Sequence, residues 1–283
     1  MIKSALRALL VLLLTGTNPA ISGEVSGFVR LFEPSLVAIV IPVIADGKFS
    51  GLFVINGTGF FIDDQGHLVT AAHVVKNQNE VIMMLAGNVE LAVSSGNISS
   101  PLYSQPLYPM YLAPKEEYFM RAKVVAVDTA NDVAILESSY RGKTHIDLGD
   151  FDKVNVGDDV IYLGFPFGYN RLTAHKGMIS FKGSIDNVET IQIDGIVNRG
   201  NSGGPLISIS QGEVVGIVYA KEGKLSPYLD EIKNLKGGGG NIILGVIDIQ
   251  KFAQEVSYAI ESHIQLGIGC ASSASYAKKL STK

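Results

Sequence analysis

From residue 36 onward the chain keeps returning to short apolar or alternating runs that stop at Gly, Asn or Asp, and this rhythm constrains the fold more than any other feature. The runs are 36–44, 59–62, 67–71, 81–85, 123–127, 133–137, 160–164, 190–193, 205–209, 214–220 and 242–247. Segments this short, bounded by turn formers, read as strands. Many strands and few helices specify a β-sandwich or a pair of barrels. With 283 residues, 47% of them apolar, the chain can hold one large β domain of two packed subdomains or two ordinary domains, and disorder of the whole chain is excluded.

Helical spacing is confined to the C-terminal third. Ile249, Phe252, Ala253, Val256, Ile260 and Ile264 recur every three to four residues after Asp248, which predicts a capped helix over 248–264 that packs on the strands. A second helical stretch is expected over 225–235, with Gly237 to Gly240 as a flexible connector behind it. The Ser-, Ala- and Lys-rich tail 267–283 is expected to be disordered.

At the other end, Lys3 and Arg7 precede an apolar run over 8–14 and small residues around Ala20 and Gly23, the pattern of an export signal. That run is too short to cross a bilayer comfortably. Residues 1–23 therefore read as a cleaved signal peptide or an uncleaved N-terminal anchor, and either places the body outside the cytoplasm, in the periplasm or secreted. No lipobox-like cysteine follows, and the one cysteine, Cys270, cannot form an internal disulfide.

The formal charge is −4 and only 18% of residues are charged, which argues against a nucleic-acid partner. Between Ala86 and Met120 the strand rhythm fails. Pro101, Pro106, Pro109 and Pro114 alternate there with Tyr103, Tyr108, Tyr111 and Tyr118, an inserted surface loop that is either tolerated without a role or serves as a lid or partner surface.

Three segments carry chemistry: Thr70-Ala71-Ala72-His73, Asn131-Asp132-Val133-Ala134 and Gly200-Asn201-Ser202-Gly203-Gly204-Pro205. A serine hydroxyl needs an imidazole to take its proton and a carboxylate to hold that imidazole in the right tautomer. His73 ends a β-like run, and Asp132 stands directly before an apolar strand. Asp128 is the competing acid, but it ends a strand and is expected to face a turn. Gly200 to Gly204 also fits the Gly-x-Ser-x-Gly elbow of α/β-hydrolases, which requires a helix next and a later catalytic histidine. Here Pro205 and a β-like run follow, and the one later histidine, His263, lies on the amphipathic helix. The glycines around Ser202 instead let the amides of Gly200 and Ser202 converge on one point, an oxyanion hole.

These segments, with Gly57-Thr58-Gly59-Phe60-Phe61-Ile62, Ile191-Gln192-Ile193-Asp194 and Gly240-Asn241-Ile242, resemble the chymotrypsin-fold (trypsin-like) serine peptidases, and among them the exported HtrA/Deg group. The resemblance spans about 36–264. It implies an all-β fold, a double six-stranded β-barrel with a C-terminal α-helix, over 30–266. The first barrel is expected at about 30–140, a linker near 140–152, the second barrel at about 150–247 and the helix at 248–264. His73 and Asp132 would come from the first barrel and Ser202 from the second.

The resemblance further implies hydrolysis of peptide bonds in polypeptides through an acyl-enzyme. Asn201 stands where digestive relatives carry an activating aspartate, so that switch is not expected. The substrate pocket would have Ile196 as its floor and Val218, Tyr219 and Ala220 as one wall. Without an acid on the floor, small or medium apolar P1 side chains are favoured over Lys or Arg. After residue 264 too little chain remains for a PDZ domain, while a homotrimer built through the protease domain stays compatible. The mechanism requires no cofactor, and no cluster has metal-ligand spacing. The competing reading is a catalytically silent barrel protein that binds a partner through its cleft or through 86–120.

Overall fold

The computed structural model describes residues 22–89, 112, 115–141, 144–219, 231–232, 243–244, 247–263 and 268–282. The export segment, most of the 86–120 insertion, most of 225–235, the Gly237–Gly240 connector and Ala220 lie outside these residues.

Two closed six-stranded antiparallel barrels dominate the structure. Helix α1 (Ser22–Phe32) leads into β1 (Leu36–Ala45), β2 (Lys48–Phe61), β3 (His67–Thr70) and β4 (Glu80–Leu85). A single turn of helix, α2 (Ala86–Val89), precedes the insertion, and β5 (Met120–Asp128) and β6 (Val133–Ser138) complete the first barrel in the order β1-β2-β3-β6-β5-β4. The sequence explains the turns. Asp46-Gly47, both at positive φ, closes β1 onto β2 as a two-residue hairpin of the kind whose twist suits strands. Pro42, which has no N–H to give, sits at a register irregularity of β1.

The second barrel is built from β7 (Asp159–Gly164), β8 (Thr173–Ile185), β9 (Val188–Asp194), β10 (Pro205–Ser208) and β11 (Val214–Tyr219), with the tight Asp186-Asn187 hairpin joining β8 to β9. Its sixth strand departs from the sequence-based expectation. The short segments β12 (Ile243–Leu244) and β13 (Ile247–Asp248) pair only with each other, and helix α3 (Ile249–His263) follows, capped by Asp248 as expected. These elements fall in a separate compact unit, residues 221–267. The barrel is closed instead by β14 (Ile268–Ser273), which pairs with β9 on one side and β11 on the other. Helix α4 (Ala274–Ser281) follows, started by the Ser273 hydroxyl.

The expected disordered tail is therefore structural. Its small residues, which made it look unstructured, are what the site demands. A Cβ on Gly216 would lie 2.9 Å from the Ala271 Cβ, so strands approach closely here and bulky side chains are excluded. Every residue from Gly269 to Ser273 is buried. Ala274 and Ala277 of α4 are also buried, in the same apolar cluster as Val133 and Ile135 of the first barrel and Ile217 of the second. The domain also begins earlier than residue 30: α1 buries Phe28 and Phe32, stacked 5.8 Å apart, in that cluster.

Candidate active site

Hydrogen bonds from His73 to Asp132 bring the end of β3 to the turn before β6, and Gly203, in the turn before β10, packs directly against Thr70 and Ala71. After Thr70 the chain makes a short 3-10 turn, Ala72–Val75, which buries Ala72, Val74 and Val75 and leaves His73 exposed. The buried neighbours thus hold the backbone while the imidazole projects outward. Asp132 sits at positive φ, +55°, in the turn that starts β6. That turn is fastened by Asp128, whose carboxylate accepts the Asn131 N–H at 3.1 Å and the Asn131 Nδ2 at 2.7 Å. Asp128 faces a turn, as its place in the sequence implies.

Both oxygens of Asp132 are engaged by one residue. Oδ1 accepts the His73 backbone N–H at 2.9 Å, and Oδ2 lies 2.7 Å from His73 Nδ1. An ionised carboxylate can only accept, so Nδ1 carries a hydrogen, and in the neutral imidazole the lone pair is then on Nε2. The two bonds fix the imidazole in position and in tautomer.

The Ser202 loop is buried, with Asn201 fully inaccessible and Ser202 3% exposed. Gly200 sits at φ +93°, and a Cβ there would collide with the Phe165 carbonyl oxygen, so only glycine fits. The Arg199 carbonyl accepts the Phe167 N–H at 2.7 Å. In a trans peptide the Gly200 N–H must point the opposite way. The next carbonyls are also held: Gly200 O by Thr58 Oγ1 at 2.7 Å, Asn201 O by Gly204 N–H at 2.9 Å and Ser202 O by Thr58 N–H at 2.8 Å. Gly203, at φ +85°, could not carry a Cβ without striking Thr58 O and Thr70 Oγ1. Asn201 is also unusual chemically: among the described residues neither its Oδ1 nor its Nδ2 has a hydrogen-bond partner.

Of the expected pocket residues, Ile196 is 44% exposed, and its carbonyl accepts the Tyr162 hydroxyl at 2.9 Å. Val218 is fully buried, its backbone bonding Gly203 and Gly204 immediately after Ser202. Tyr219 is half-buried, and burial, reinforced by the nearby Cys270 and Asp132, raises its pKa despite a hydrogen bond with Thr190. Two residues that sequence reasoning passed over belong to this region. Tyr162 is buried beneath Gly195 and Ile196, in one apolar cluster with Val218, and burial pushes its hydroxyl up to about 12, so it stays a neutral donor. His175 lies flat on its ring, 4.8 Å away, with Nε2 buried and unpartnered among the described residues and its pKa lowered by burial. Among the described residues no group of His, Cys, Asp and Glu could hold a metal, and no helix is long and apolar enough to cross a membrane.

A family model described as trypsin-like peptidase domain matches residues 57–217. A probable periplasmic serine endoprotease DegP-like of Pseudomonas putida (strain W619) is 34% identical over 165 residues, which cover 57% of this chain and 28% of that protein. The protein of the same description from Rhizobium meliloti (strain 1021) is 35% identical over 167 residues, covering 57% of this chain and 27% of that one. Among solved structures, an HtrA-type protease AlgW with tripeptide is similar at a TM-score of 0.58 and 20% identity, over 93% of this chain and 63% of that one. The match spans little more than a quarter of the length of these curated relatives, and likeness to the solved structure speaks to the fold alone.

Proposed function

Because the chain belongs to the trypsin-like peptidase domain family, we propose that it is a serine endopeptidase of the DegP/HtrA type, exported and acting on polypeptides. The observation that carries this reading is the pair of hydrogen bonds from His73 to Asp132, formed beside a loop whose backbone is pinned residue by residue around Ser202.

In this mechanism His73 Nε2 takes the Ser202 hydroxyl proton as Oγ attacks the scissile carbonyl carbon. Asp132 stabilises the imidazolium that forms. The carbonyl oxygen becomes an oxyanion held by the Gly200 and Ser202 N–H groups, each donor contributing about 3 kcal/mol to the barrier reduction. His73 then gives its proton to the leaving amine, and the C–N bond breaks to leave an acyl-enzyme on Ser202. Water, deprotonated by His73, attacks the ester, and the acid product departs as the proton returns to Ser202 Oγ. No metal or cofactor enters any step.

Substrate choice is set by the space around Ile196. Tyr162 fills the volume beneath it, which supports a shallow pocket and small or medium apolar P1 residues. A homotrimer belongs to the same proposal, and light scattering on the purified chain reads it.

The test is hydrolysis of internally quenched peptides by the full chain and by Ser202→Ala. Cleavage by the parent and none by the variant is expected. Equal cleavage by both would remove Ser202 from the mechanism, and no cleavage by either, with a partner retained on the cleft, would favour the silent binding protein.

A further inference from the structure

Four consecutive carbonyls, Arg199 to Ser202, each accept a hydrogen bond, and three of the four come from main-chain N–H groups: Phe167, Gly204 and Thr58. The fourth, on Gly200 O, comes from a side chain, Thr58 Oγ1. Thr58 lies on β2 of the first barrel, wholly buried, and every polar atom it has is committed. Its N–H goes to Ser202 O at 2.8 Å, its hydroxyl to Gly200 O at 2.7 Å, and its carbonyl accepts Thr70 Oγ1 at 2.7 Å. Thr70 is three residues before His73 and pairs with Ala134, two residues after Asp132. One threonine therefore joins the strand ends that carry His73 and Asp132 to both ends of the segment that carries the nucleophile.

We propose that Thr58 is a positioning residue for catalysis, its hydroxyl clamping the Gly200–Asn201 peptide so that the oxyanion donors stay aimed between the barrels. The inference rests on the peptidase reading. Its geometric logic is that the Gly200 N–H and the Ser202 N–H flank the clamped peptide. Gly200, at φ +93°, has the widest backbone freedom of the three residues from Gly200 to Ser202, and the side chain that restrains it belongs to the opposite barrel. Freed of that bond, the peptide can rotate about Gly200, and a donor that has swung away from the developing oxyanion is lost to the transition state while ground-state binding is untouched.

The experiment compares Thr58→Val, Thr58→Ser and Thr58→Ala in the full chain. Val keeps the shape and removes the hydroxyl; Ser keeps the hydroxyl and removes the methyl; Ala removes both. The expected result is a fall in kcat of roughly 10- to 100-fold in Val and Ala, KM within about threefold of the parent, and recovery of most of the loss in Ser. The rate of Ser202 labelling by a fluorophosphonate should fall in parallel with kcat. If Val does not fold, the Ser-to-Ala ratio decides, because both lack the methyl and differ only in the hydroxyl. Equal kcat in Ser and Ala, or a loss that tracks thermal stability and spares kcat, overturns the clamp. A parent that neither labels nor cleaves overturns the peptidase reading and the clamp with it, whereas a labelling parent with indifferent variants overturns the clamp alone.

Discussion

Asp132→Asn exchanges one oxygen for an amino group at nearly constant volume, and it removes one of the two acceptors that hold His73. Asp132 now accepts twice from His73, at 2.9 Å from the backbone N–H and at 2.7 Å from Nδ1. Asparagine has one acceptor. If its oxygen keeps the backbone bond, its NH2 group faces Nδ1, which must then be the unprotonated nitrogen. The hydrogen moves to Nε2, and His73 can no longer take the proton from Ser202. A wrong-tautomer imidazole costs turnover on the order of 10⁴, or about 5.5 kcal/mol of transition-state stabilisation. Steady-state hydrolysis of a quenched peptide measures the loss, and urea unfolding shows that the variant is folded. The control is Asp128→Asn, which disturbs only the turn held through Asn131. It should lose about 1 kcal/mol of stability and keep turnover within about threefold. A folded Asp132→Asn within tenfold of the parent, or a large loss in Asp128→Asn instead, would refute the assignment of the acid.

Three further outcomes are expected. Tyr162→Ala should deepen the pocket beneath Ile196 and raise kcat/KM for Leu over Ala at P1 by about 10- to 100-fold, read with a P1-varied peptide series; an unchanged series would detach Tyr162 from specificity. His175 is held neutral by burial, its folded pKa depressed below the ordinary 6.5, so the unfolded chain binds the extra proton first as pH falls. Its contribution to stability is present above pH 6.5 and is lost below it, and His175→Gln should flatten the dependence of the urea midpoint on pH between 7 and 5. A chain ending at residue 267 loses β14 and opens both β9 and β11, so it should fail to fold by circular dichroism, whereas a disordered tail could be cut without effect.

The sequence made the chemistry legible where backbone geometry restricts residue choice. Gly200 and Gly203 announce themselves because positive φ and close carbonyls admit nothing larger. The apolar strand that begins directly after Asp132 distinguishes it in sequence from Asp128, and in the structure His73 bonds Asp132 while Asp128 bonds Asn131. What sequence reasoning missed is packing without an apolar signature. β14 is written in Gly, Cys, Ala and Ser because it lies against Gly216, and small residues that fill a tight barrel seam look the same as a solvated tail. The apolar run at 242–247, conversely, reads as a barrel strand, yet its described residues Ile243–Leu244 pair with Ile247–Asp248 in a two-stranded sheet of their own. Tyr162 read as one more strand residue, since nothing in β7 reveals that its hydroxyl reaches across to Ile196. Thr58 was visible only as the middle of Gly57-Thr58-Gly59, its partners in the nucleophile loop being 142 residues away or more.

Mass-spectrometric mapping of a fluorophosphonate adduct asks directly whether Ser202 is an activated nucleophile. The full chain should carry a single adduct, on the peptide containing Ser202, and Ser202→Ala should carry none. A parent that stays unmodified while folded, or an adduct on any other serine, would contradict the catalytic role given to His73, Asp132 and Ser202.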